Sequence, residues 1–444
     1  MLGVAVLFVV FTYCYVALIV PTYDYYGLGW RDPPPYMLVA ALLMNLTIAY
    51  LADPVFRRPS QLFLVVQYLV VFLPASVVCL NVTLPSLDQE RVFTMLCFMF
   101  FGLLIQTLFN DPGHASVRIP SIRLWTAKQT LGALAIFCLA IMVMMLYQLG
   151  NIFSLTNLES MYDQREILDD QAVNAALRYS MSWLLYLVLP VLLVVSFAAR
   201  GRRRWLLLCA CLGAFLLLYG IVATKSALLG PAIVGLIYWV LRPGPSSFIL
   251  RFACGMTVLL MLPLLLAGIQ ALELLSVLYV GVVNFRMFAV PQALYVQYLD
   301  FFATHPNTLG SHVGLISWFV TYPLDAPVFL LIGDYYYPGS NQTANAGAWA
   351  QDGIAGFGLS GILLISGLLT VCMRILDSAA REHDARMVAA ALSMIALAVC
   401  NVSFFTVLLS GGLGIAIALL YLTKGSPAGA GSTRFGSVGA SASR

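Results

Sequence analysis

Charge is scarce in this chain. Only 9% of its 444 residues are Asp, Glu, Lys or Arg, against 61% that are hydrophobic, and polar surface in that proportion cannot enclose a water-soluble fold. Histidine is scarcer still, with four in all. Nine cysteines are present, but every one falls in or at the end of an apolar run, with no CxxC pair and no His/Cys cluster. That argues against a structural metal site, and none is expected. No Walker GxxxxGK[ST], HExxH, GxSxG or strand-to-helix Rossmann fingerprint occurs, so nothing supports an ATP-driven or nucleotide-dependent mechanism, and no cofactor is expected. The net charge of +4 is modest, and no nucleic-acid partner is expected. Met1–Pro21 lacks a basic leader and a small-residue cleavage pattern, which reads as a retained first span. The strict polar/apolar alternation of barrel strands is missing as well.

What remains is a series of apolar runs near 2–21, 36–52, 61–81, 92–109, 129–150, 179–199, 205–222, 226–241, 251–269, 353–373, 387–402 and 403–423. The fold class that follows is all-α, a polytopic integral membrane protein of about 12 transmembrane helices, since helices satisfy their own backbone in lipid. Residues 1–424 form one transmembrane domain, and 425–444, rich in Gly, Ser and Ala, read as a disordered cytoplasmic tail. With the N-terminus cytoplasmic, 17 of the 23 Lys and Arg residues lie on the inner side, leaving Arg31, Arg91, Arg165, Arg178, Lys225 and Arg286 outside. The positive-inside bias therefore puts both termini in the cytoplasm.

Two outer connections are long, 151–178 and 270–352. Both are acidic overall, which is ordinary for that side. The second is too apolar for a free hydrophilic domain, and it predicts interfacial or half-buried helices around a cavity that opens outward. It also holds Asn284-Phe-Arg286-Met-Phe and Asn345-Ala-Gly-Ala-Trp-Ala-Gln-Asp352-Gly-Ile-Ala-Gly-Phe-Gly, phrases that a span does not need.

The candidate residues each have a bland reading beside the chemical one. Arg286 sits between Phe285 and Met287 as the one Lys or Arg of its connection, so it needs an anion, either an internal carboxylate such as Asp300 or a substrate phosphate. Lys225 can snorkel to headgroups, and Arg165 lies in a mixed-charge loop. Together the three cations suit a diphosphate. His305 and His312 bracket Pro306-Asn-Thr-Leu-Gly-Ser311 and suit acid–base work, or merely hold a turn. Asp352 reads either as the N-cap of the tenth span or as a carboxylate facing the cavity.

At Tyr162-Asp-Gln-Arg165-Glu, Thr224-Lys225-Ser226, Asn284-Phe-Arg286, the run from Gln297 through Asp300 and His305 to His312, and Asn345…Asp352-Gly, the chain resembles the bacterial Wzy-class polysaccharide polymerases. So does the layout of a dozen spans with a large outer loop before the last few. The resemblance implies metal-independent glycosyl transfer between undecaprenyl-diphosphate-linked oligosaccharides at the outer face of the bacterial inner membrane, forming O-antigen or exopolysaccharide. It further implies that Arg165, Lys225 and Arg286 hold the diphosphate, that Tyr162, Asp300 and Asn345 meet the glycan, and that His305, His312 or Asp352 activates the acceptor hydroxyl. Membrane lipid, the lipid-linked substrates and a chain-length regulator protein are the implied partners. O-antigen ligases, which share such donors, are the alternative. So is a polysaccharide transporter or flippase, which the phrase Asp53-Pro-Val-Phe-Arg57-Arg58 loosely suggests.

Overall fold

A computed structural model describes residues 1–84, 87–109, 122–154, 164, 167–168, 174–242, 247–269, 272–313, 316–340 and 342–425. Among these the chain is helical throughout, with a single isolated bridge from Trp125 to Thr423. The helices are α1 (Leu2–Tyr26), α2 (Pro35–Leu51), α3 (Ser60–Asn81), α4 (Gln89–Phe109), α5 (Ala127–Ile152), α6 (Ala175–Ala198), α7 (Gly201–Val222), α8 (Lys225–Val240) and α9 (Phe248–Ala267). They continue as α10 (Glu273–Thr304), α11 (Val328–Tyr336), α12 (Ala348–Ala380), α13 (Ala385–Ala391), α14 (Ser393–Asn401) and α15 (Phe404–Leu422). Ten of the described helices are long and apolar enough to cross a membrane, and α2 and α8 are shorter apolar ones. This is the composition of a polytopic membrane protein.

Proline is placed by a repeated local device. Wide π-type turns at Tyr15–Ile19, Gln67–Phe72, Leu184–Val188 and Val280–Ala289 each end two residues before a proline, namely Pro21, Pro74, Pro190 and Pro291. Proline has no N–H to donate and its ring crowds the carbonyl one turn back, and a widened turn relieves both problems without breaking the helix.

That device corrects the expected loop at 270–352. Its first part is α10, a continuous helix of 32 residues. The π-type turns absorb Pro291, and Arg286 lies on an exposed face of the helix. The remainder is compact: a turn at 305–313, a short 3₁₀ turn at Ile316–Trp318, and the nine-residue α11.

Contacts define two ends of the bundle. At one end Phe248 N–H donates to Pro54 O, Ser60 donates through its N–H and Oγ to Asp377, Arg123 pairs with Glu382, and Lys424 N–H donates to Trp125 O. At the other, Thr83 N–H donates to Gly27 O, Tyr26 Oη to Gln342 Oε1, and Thr308 N–H to Ala355 O. α3 is the central helix, with 94% of its most apolar stretch buried.

α12 is two pieces. Phe357 and Gly358 leave the helical region, Gly358 at φ 64° and ψ −152°, a conformation that suits glycine alone. The short wide-turned piece at Ala348–Ile354 thereby folds back on the start of the long one, with the Gly353 carbonyl against Gly361. α13 and α14 are separated at Leu392, and the chain reverses at Val402–Ser403 before α15. The last two apolar runs therefore meet at a corner, the first of them broken into α13 and α14.

Candidate active site

The corner at Ser403, the fold-back at Asp352 and the turn at His312 meet. Asp352 is 1% exposed, and its carboxylate accepts three hydrogen bonds. His312 Nε2 donates to Oδ1 at 3.0 Å, Ser403 Oγ to Oδ1 at 2.5 Å, and the Phe404 backbone N–H to Oδ2 at 2.5 Å. Asp352 thus caps a helix, as its position before an apolar run suggests, but the helix is α15 and not its own. Ser403 occupies the usual capping position, but its side chain makes no bond to its own helix. A carboxylate is a better acceptor there than a hydroxyl, because its two oxygens reach both the exposed Phe404 N–H and the Ser403 hydroxyl.

His312 is held from both sides. Its Nδ1 lies 2.8 Å from Thr308 Oγ1, which is also within 3.2 Å of Ala355 O. The turn itself is pinned, with Thr308 N–H to Ala355 O and Leu309 N–H to Gly356 O. With both ring nitrogens engaged, His312 takes a substrate proton only if Thr308 or Asp352 first gives way. The pair's evident work is to join three chain segments that lie far apart in sequence.

Beside it is a cavity of about 780 Å³ whose wall includes His312, Gln351 and Ser403. That volume is in the range of small-ligand sites. Tyr179 of α6, Phe405 and Leu409 of α15, and Trp318, Tyr322, Asp325 and Phe329 also line it. Gln351 Oε1 is buried with no hydrogen-bond partner among the described residues. The combination is a cleft with aromatic faces, several hydroxyls, one side-chain amide and one carboxylate, which suits a ligand rich in both ring faces and hydroxyl groups.

Among the described residues, the other candidates lie off the cavity wall. His305 lies outside the cavity wall, stacked on Phe301 at 3.9 Å between ring centres, with Nδ1 2.9 Å from Phe301 O. Asp300, one turn earlier, accepts from Tyr336 Oη at 2.5 Å. Burial, then the Asp300 carboxylate, raises the Tyr336 phenol above its ordinary value of 10.0, so it stays a donor. Asn345 is exposed and bonded to Thr343 Oγ1. Arg286 is within electrostatic reach of Tyr23, in an aromatic group where Tyr23 stacks on Phe285 at 3.8 Å. Lys225 opens α8. Arg165 and Tyr162 lie outside the described residues.

Of the residues singled out in the sequence, then, His312 and Asp352 come together, His305 and Asp300 form a separate group with α11, Arg286 lies earlier on α10, and Lys225 stands on α8. Thr308, Ser403, Gln351, Trp318, Tyr322 and Tyr179 were missed. Ser403 alone carried a local signal, a serine directly before an apolar helix. No family model matches the chain, and neither a curated protein nor a solved structure matches it.

Proposed function

We propose that this protein is a membrane-embedded, metal-independent glycosyltransferase that polymerises undecaprenyl-diphosphate-linked oligosaccharide repeat units into O-antigen or exopolysaccharide. The observation that carries the reading is the aromatic and polar cavity beside the His312–Asp352 pair, at the bundle end opposite the Arg123–Glu382 and Trp125–Lys424 contacts. In this reading the growing glycan on its lipid diphosphate is the donor and a single lipid-linked unit the acceptor. Arg286 and Lys225 neutralise the diphosphate as it leaves, joined by Arg165. Asp300 and Asn345 flank the incoming glycan, with Tyr162 from the 151–178 connection, and His305 borders its path.

Twelve crossings belong to the proposal. α9 departs from the end where Phe248 meets Pro54, and α12 returns to that end at Asp377. In the twelve-crossing reading α10, the helix between them, is not counted as a crossing. Taking α13 and α14 as one broken crossing makes twelve, with both termini cytoplasmic by the positive-inside bias. The start of α1 supports this, since a Cβ on Gly3 would meet Leu250 at the start of α9.

The deciding experiment is the lipid-linked glycan profile of a host cell with the gene deleted and then restored. Polymerase activity predicts loss of long polymer, with single units accumulating on the lipid. Long lipid-linked polymer that is made but never transferred refutes it in favour of a ligase, and units that fail to reach the outer face refute it in favour of a flippase.

A further inference from the structure

The proton that leaves the attacking hydroxyl needs an acceptor, and the sequence-level candidates for it are occupied. Asp352 is buried and already accepts from His312, Ser403 and Phe404. His312 has Thr308 at one nitrogen and Asp352 at the other. His305 lies off the cavity wall, with Nδ1 on the Phe301 carbonyl. One carboxylate remains among the residues lining the cavity, that of Asp325, and its residue is exposed.

Asp325 is also firmly presented. Pro323 and Pro327 flank it and restrict the backbone on both sides. Tyr322 Oη donates to Ala326 O at 2.9 Å and closes the loop across it. Tyr322 and Leu324 pack against the hydrophobic core, and Val328, 3% exposed, starts α11. With its neighbours anchored inward, residue 325 is left on the wall that it shares with His312, Gln351 and Ser403. A base must first be within reach of the proton it takes, and a carboxylate that activates a hydroxylic nucleophile at a sugar carbon is an established chemical solution.

Resting on the glycosyl-transfer reading, we propose that Asp325 is the general base of the reaction and that the His312–Asp352 pair is a positioning device that holds the cavity wall. Asp325 removes the proton of the acceptor hydroxyl. The freed oxygen forms a bond to the anomeric carbon of the donor glycan, the bond from that carbon to the diphosphate oxygen breaks, and its electron pair departs with the lipid diphosphate. The proton then passes from Asp325 to water.

The test uses the full-length protein in lipid nanodiscs and, as probe, lipid-linked units extracted from the deletion strain. D325N is expected to lower kcat by about 100-fold or more with KM within about threefold, the usual size of a lost base. D325E should recover part of the rate, and the acidic limb of the wild-type kcat–pH profile should be missing from the residual D325N activity. Because residue 325 is exposed, thermal stability should not change, which separates the effect from misfolding. Wild-type transfer with D325N retaining kcat within threefold, or retaining the acidic limb, overturns the assignment while leaving the glycosyltransferase reading intact. Absence of transfer by the wild-type protein overturns both.

Discussion

Removing the Asp352 carboxylate should loosen three segments at once. Asp352→Ala strands three donors, His312 Nε2–H, Ser403 Oγ–H and Phe404 N–H. A buried donor without an acceptor costs about 1–3 kcal/mol. Ser403 lines the cavity and can turn to water there, so the sum falls short of three full penalties. We expect about 3–5 kcal/mol, the range for breaking a buried pair from one side. Asp352→Asn keeps one oxygen but turns an amide N–H toward a donor, at a cost of about 1–3 kcal/mol. Ser403→Ala should cost least. Membrane proteins of this size often unfold irreversibly, so the assay is the half-life of monodisperse protein at a fixed elevated temperature, ranked across the three variants. Hydrogen exchange supplies the local test: amides of 403–409 and 308–313 should lose protection together in Asp352→Ala. Adding His312→Gln to Asp352→Ala should cost little more, because the two side chains act as one contact. An Asp352→Ala protein with wild-type half-life and unchanged exchange at 403–409 would refute the clamp.

Gly358→Ala places a side chain at φ 64°, ψ −152° and should destabilise by about 1–3 kcal/mol. Gly347→Ala should be worse, because its Cβ would sit 2.5 Å from the Val399 and Cys400 carbonyl oxygens; thermal denaturation of the pair ranks them. Tyr336→Phe removes a donor from Asp300 and should cost about 1–3 kcal/mol by the same measurement. Because the Tyr336 phenol is raised in the folded protein, its stabilising contribution is complete below the ordinary value of 10.0 and declines as pH rises toward the raised one. The wild type should therefore lose stability above about pH 10 more steeply than Tyr336→Phe, and parallel curves would contradict the assignment. Arg286→Ala should abolish polymer formation at normal protein abundance, and Arg286→Lys should lose much of it, since an ammonium cannot reproduce a two-pronged grip on a diphosphate. Full polymer from the alanine variant, read from the glycan profile, would remove Arg286 from the site.

The helices were legible because lipid leaves a backbone one economical solution, and long apolar runs declare it. Two features went unread for identifiable reasons. α10 has Arg286, Pro291 and Asp300 along its length, and only the surrounding helices show that an exposed arginine, a π-widened turn and a tyrosine partner make room for them. The glycines of the 345–358 phrase stood out as unnecessary for a span, but what they permit, a fold-back at Gly358 and close approach at Gly347, depends on residues 361 and 399–400.

Asp352 divides the matter most clearly. A carboxylate before an apolar helix announces a cap or a site from the sequence alone. That it caps α15, through Phe404, and holds His312 is a product of contacts 40 to 52 residues apart. Burial divides in the same way. α3 and α5 are equal in mean hydropathy, yet 94% of one and 22% of the other is buried within the protein. Composition by itself determined that this chain is a helical membrane protein, because oil and protein interior make the same demand on a side chain. Only the tertiary structure decided which helix is central and which polar groups meet, because lipid and core are equally apolar and sequence cannot tell them apart.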